Sequence, residues 1–110
     1  MATIKTYTDI EQSKKLAEFL PLESADNYYS WHDEHYYIVN KDCPYPYSLK
    51  EKIPCWSLVA LLDVLPSATL DSSSDHYYRL YCMTRYTEWY DNPVDACVAM
   101  IEKLHEQNLL

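Results

Sequence analysis

A chain of 110 residues with net charge -8 and 48% hydrophobic residues has the length of one domain and enough apolar material for one core. This composition excludes a disordered chain, and no apolar run approaches the ~20 residues that span a bilayer. Nine Lys plus Arg against seventeen Asp plus Glu argue against direct binding of a phosphate backbone. The start lacks the charged region, apolar stretch and cleavage site of a signal peptide, so a cytoplasmic location is expected.

Helical spacing predicts a first helix from Asp9 to Leu20, opened by a Thr8-x-x-Glu11 capping box and ended by Pro21. Ile10, Leu16, Ala17, Phe19 and Leu20 form its apolar stripe. Two aromatic and β-branched runs, Asn27 to Trp31 and His35 to Val39, flank His32-Asp33-Glu34 and read as a hairpin. Cys43-Pro44-Tyr45-Pro46 holds neither a regular helix nor a central strand, and Asn40 to Pro46 reads as a loop.

After Ile53-Pro54, the segment Ser57 to Leu65 is apolar on most sides and is expected as the buried central helix, with Trp56 covering its start and Pro66 ending it. Asp71 to Asp75 reads as a polar turn. A second strand pair follows, His76 to Met83 and Tyr86 to Tyr90, joined at Thr84-Arg85. The last helix starts at Asn92 as N-cap, with Pro93 at its first position and Asp95 in its first turn. Val94, Cys97, Val98, Ile101 and Leu104 recur at helical spacing, opposite the wet face of Glu102, Lys103, Glu106 and Gln107.

The expected architecture is a single α+β domain over residues 1–110. Its order is α-β-β-α-β-β-α, with about four mainly antiparallel strands and three helices packed on the sheet.

Composition is unusual in two ways. There is no glycine, against an average usage of roughly 7%, and there are twelve tyrosines against one phenylalanine. The missing glycine removes Gly-rich phosphate loops, nucleophile elbows and hairpin turns of the Asn-Gly type.

No catalytic, cofactor-binding or metal-binding residue is assigned from the sequence. His32, Asp33, Glu34 and His35 are the one cluster resembling metal ligands, but they lack the His-Glu-x-x-His spacing and are expected in a solvated turn. Cys43, Cys55, Cys82 and Cys97 form no Cys-x-x-Cys pair and read as small buried side chains in a reducing compartment. Cys97 and His105 stand about two helical turns apart, ~12 Å, beyond hydrogen bonding. Cys82 and His76, six residues apart on one strand face, are too distant as well.

The tyrosines carry more. Adjacent residues of a strand point to opposite faces. Tyr78, Leu80 and Cys82 have the phase of a core face, which leaves Tyr77, Arg79 and Tyr81 outward, with Tyr28 as a candidate beside them. Tyr and Arg anchor protein interfaces, although Tyr is also an ordinary strand former. Stacking on single-stranded nucleic acid is a third use of such a face, disfavoured by the charge.

Two motifs carry a resemblance: Ile53-Pro54-Cys55-Trp56-Ser57-Leu58 running to Val64-Leu65-Pro66, and Asn92-Pro93-Val94-Asp95-Ala96. In these the chain resembles small proteins carried by phages, prophages and mobile elements of gut bacteria, over about half its length. The resemblance implies a common fold and an accessory protein that binds a host or phage component; it brings no activity, cofactor or site residue.

Three classes of function follow. The leading one is a non-enzymatic acidic binding protein, using Tyr28, Tyr77, Arg79 and Tyr81 toward a protein partner or toward itself. The second is a small enzyme, metal-dependent around His32, Asp33 and His35 or built on a thiol. The third is a structural subunit of a larger assembly.

Overall fold

The computed structural model describes residues 5–32, 34–42 and 52–110. The loop expected at 40–46 lies outside the described residues beyond Asp42. No helix among the described residues is long and apolar enough to cross a membrane.

Helix α1 spans Ile10–Ala17. Its capping box is shifted by one residue from the expected Thr8/Glu11 pair. Asp9 Oδ1 accepts from Gln12 N at 2.8 Å, and Gln12 Oε1 accepts from Asp9 N at 3.1 Å. Thr8 is engaged elsewhere: its N donates to Trp56 O at 2.9 Å and its Oγ1 accepts from Trp56 N at 3.1 Å. Pulled into that bridge, Thr8 is fully buried and leaves the cap to Asp9. A tight turn carries the chain from Glu18 to Leu20, and a 3₁₀ turn follows at Leu22–Ser24.

Strands β1 (Asn27–His32) and β2 (His35–Asn40) form the expected hairpin, His32 opposite His35, with Glu34 at φ 63° in the turn. A short strand β3, Ile53–Cys55, pairs with the other side of β1. Its proline is tolerated for a geometric reason. Lys41 N donates to Asp26 O, so hydrogen-bonded pairs on the β2 side fall at Tyr28, Ser30 and His32. The backbone of Asn27 and Tyr29 therefore faces β3, and Pro54, opposite Tyr28, has no ladder bond to lose.

Helix α2, Leu58–Val64, is capped by Ser57, whose Oγ accepts from Ala60 N at 3.3 Å and donates to Asp26 Oδ2. Strands β4 (Thr69–Ser72), β5 (Tyr78–Cys82) and β6 (Arg85–Tyr86) form a second antiparallel sheet. Helix α3, Pro93–Glu106, begins as expected: Asn92 Oδ1 accepts from Asp95 N at 2.8 Å and Pro93 opens the first turn.

The fold is thus α+β in the order α-β-β-α-β-β-α, with one further short strand before the second helix and one after it. Six strands replace the expected four among the described residues, in two three-stranded sheets ordered β2-β1-β3 and β4-β5-β6.

The core lies between the helices and the second sheet. Leu16, Leu61, Leu80, Met100, Ile101 and Leu104 are fully buried in it, as is Trp56, whose Nε1 donates to Ser24 Oγ at 3.0 Å. Each such side chain contributes roughly 1.5–3 kcal/mol of burial. The central helix is α3 rather than α2: α3 buries eight of its residues, whereas Val59 of α2 is 70% exposed. Two turns of α2 cover the core with one side and face an open groove with the other.

Candidate binding surface on the second sheet

Strand parity divides β5 as the sequence predicts. Leu80 and Cys82 are fully buried against α3, with Tyr78 half-buried beside them. Arg79 and Tyr81 occupy the opposite face, across from Asp71 and Thr69 of β4. Tyr77, just before the strand, is exposed. Tyr28 does not join them. It is buried in the other sheet, with the Lys52 ammonium 4.4 Å from its ring centre.

Two residues that sequence parity did not single out complete the face. The Arg79 guanidinium lies 4.3 Å from the Tyr86 ring centre and 4.6 Å from that of Trp89. Its Nε donates to Asp71 Oδ2 at 3.3 Å. Tyr81 packs on Tyr86 with ring centres 4.7 Å apart. Tyr77, Tyr86 and Trp89 remain 49%, 50% and 45% exposed.

A bulge produces this arrangement. Tyr81 pairs with Tyr86, yet Tyr78 pairs with Tyr90, exchanging two 2.7 Å backbone bonds. The returning segment therefore holds one residue more than β5 does. Thr87 absorbs the slip: its Oγ1 accepts from Leu80 N and its N donates to Leu80 O, both at 2.9 Å. Without the extra residue Tyr86 and Trp89, three apart, would lie on opposite faces; with it both reach Arg79.

Asp75 and Ser73 line an open groove with Tyr77 and Trp89. Ser73 holds its edge through Tyr77 N to Ser73 Oγ at 3.1 Å and His76 N to Ser73 O at 3.2 Å, with His76 at φ 64°. Asp71 and Asp75 border this face; Arg79 is already held by Asp71 and two rings, Lys103 Nζ of α3 donates to Tyr86 O at 3.3 Å, and Glu88 lines a groove toward α3 with Glu102 and Lys103. Burial, and then the charges of Glu88, Asp95 and Glu102, push the Tyr90 hydroxyl up. The arrangement offers exposed aromatic area beside Asp71 and Asp75.

The other candidate sites carry less chemistry. His35 is exposed; Asp33 lies outside the described residues, as does the side chain of His32. Among the described residues no three His, Cys, Asp or Glu side chains are grouped to hold a metal. Burial pushes the Cys97 thiol up to about 12, and it raises Cys55 and Cys82 as well. These three are buried free thiols, as the sequence predicts; Cys43 lies outside the described residues. His105 stacks on Phe19 at 3.8 Å and lends no base to Cys97.

A groove of about 600 Å³ runs between the end of α1 and α2, lined by Phe19, Glu23, Asp26, Val59 and Asp63 among others. Asp26 is committed to the Ser57 N–H and hydroxyl. Burial pushes its carboxyl up, but those bonds outweigh it and hold it below the usual range. Among the described residues no nucleophile–base pair lines this groove; Ser24 Oγ is engaged by Pro21 O and Trp56 Nε1.

No family model matches the chain, and neither a curated protein nor a solved structure is found similar to it.

Proposed function

We propose that the chain is a non-enzymatic binding protein whose outer face on the second sheet, Tyr77, Arg79, Tyr81, Tyr86 and Trp89, docks a Lys- or Arg-bearing protein partner. The observation that carries this reading is Arg79 held between Tyr86 and Trp89 with those rings still about half exposed. Pre-ordered aromatic and Arg side chains lose little entropy on binding and are the usual anchors of interfaces. Asp75 beside Tyr77 and Trp89, in a chain of net charge -8, favours a basic partner. An accessory role in a phage or mobile element rests on the two helix motifs alone.

The test is affinity capture from host lysate with the parent chain, Trp89→Ala, Tyr86→Ser and, as a control on α2, Val59→Ser. A basic partner is expected with the parent and the control, at least about 30-fold weaker with either face variant, and more weakly held at high salt. Equal capture by all four chains refutes the reading.

A further inference from the structure

We infer that the chain forms a symmetric dimer in solution by antiparallel pairing of β2 with β2 of a second copy. This concerns the first sheet and does not rest on the binding face proposed above.

Natural sheets guard their edges with charge, proline or brevity. Three edges here obey this rule. β3 has three residues including Pro54, β4 carries Asp71, and β6 has two residues including Arg85. β2 does not. His35-Tyr36-Tyr37-Ile38-Val39-Asn40 has no Asp, Glu, Lys, Arg or Pro, and among the described residues no strand lies on its far side. Tyr37 and Ile38 are 51% and 41% exposed, and Trp31, opposite Tyr36 on β1, is 41% exposed.

The occupant follows from charge and register. A second copy brings net charge -8, yet its β2 meets this one with no charged side chain on either strand. The hydrogen-bonded pairs Tyr28–Val39, Ser30–Tyr37 and His32–His35 turn the backbone groups of Tyr36, Ile38 and Asn40 away from β1. A two-fold axis at Ile38 sets Ile38 opposite itself and Tyr36 opposite Asn40. That one register pairs every outward N–H and C=O of these three residues. It also sets Tyr37 beside Val39, an aromatic–β-branched pair of the kind that stabilises sheets. The two sheets become one of six strands.

Sedimentation equilibrium of the full chain tests this. The expected mass is twice 13.0 kDa. Ile38→Pro removes an outward donor but no bond to β1, and Ile38→Lys sets like charges together at the axis; each weakens the dimer about tenfold or more. Both are checked for an unchanged far-ultraviolet spectrum. Ile38→Cys supplies a test independent of weakening. Opposed Cβ atoms of a hydrogen-bonded pair stand about 5.5 Å apart, too far for an unstrained disulfide but within reach of a methylene-bridged bis-thiosulfonate, so that cross-linker is expected to give a linked dimer. Tyr37→Cys, offset from its copy, stays unlinked. A single-chain mass up to about millimolar protein overturns the inference, as does a dimer unaffected by both Ile38 variants or failure of Ile38→Cys to link.

Discussion

The absence of glycine has a measurable cost at the turn between β5 and β6. A two-residue hairpin turn of the favoured hand needs positive φ at both central positions, which Asn-Gly supplies most readily. Here the positions are Met83 and Thr84, at φ 50° and 64°. A β-branched residue in that region is a steric outlier, and the left-handed conformation costs an L-residue about 1–2 kcal/mol. Thr84→Gly removes this penalty and adds backbone entropy to the unfolded chain worth about 0.5–1 kcal/mol. The exposed Thr84 Oγ1 bond to Met83 O adds little to the balance. The net expectation is a gain of about 0.5–1 kcal/mol, which for a domain of this size raises Tm by about 2–4 °C. Adding Met83→Asn extends the gain. Thr87→Gly is the contrasting control: Thr87 Oγ1 is the acceptor for Leu80 N at the bulge, and its loss lowers stability by about 1 kcal/mol or more. Calorimetry and urea unfolding on the three variants check the ranking. An unchanged or lowered Tm for Thr84→Gly refutes the argument that this turn is strained.

Asp95 links the start of α3 to the N-terminal segment, accepting from Lys5 at 2.9 Å and from Gln12 and Asn92 at 2.8 Å. Burial pushes its carboxyl up, but these bonds outweigh it and hold it below the ordinary value of 3.8. A carboxyl depressed on folding stabilises fully above that unfolded value and loses its contribution as pH falls through the folded one. Asp95→Asn is therefore expected to cost about 1–2 kcal/mol at pH 7, with the gap in Tm to the parent closing towards pH 2; an unchanged gap rules out the charge as its cause. Cys97, fully buried and with its thiol pushed up to about 12, is expected to resist alkylation at pH 8 until the chain unfolds. Peptide mapping after iodoacetamide treatment decides this, and modification of the native protein at an unfolded-chain rate contradicts it.

What could be read in advance was local. Asn92-Pro93 and Asp95 contain the whole start of α3, and the strand phase of Tyr78, Leu80 and Cys82 identified both faces of β5. At the start of α1 the expected Thr8/Glu11 box gives way to Asp9/Gln12, because Thr and Asp are both competent caps and the bridge from Thr8 to Trp56 decides between them. β3 and β4 were hidden, being short and carrying Pro54 and the polar pair Asp71-Ser72. Whether two hairpins share one sheet or build two is a matter of long-range packing that no local pattern encodes. The candidate surface was half legible. Tyr77, Arg79 and Tyr81 follow from alternation; Tyr86 and Trp89 depend on an inserted residue that breaks alternation; Tyr28, in phase with nothing on that face, belongs to another sheet.

The division into two sheets has a further consequence. None of the described side chains of β1, β2 or β3 belongs to the main buried cluster, which draws Leu80 and Cys82 from β5 and its largest share from α3. The first sheet is tied to the rest by β3, which packs on α1 with Cys55 fully buried, and by polar links: Tyr29 to Thr8 and, just outside the strands, Trp56 to Thr8 and Ser57 to Asp26. Opening it exposes little of the core, so its amide protons exchange with solvent at a free energy below that of global unfolding, whereas those of α3 and β5 exchange only when the whole chain unfolds. The expected result is two cooperative units within one chain, the β1–β2 hairpin opening while α3 and β5 stay folded.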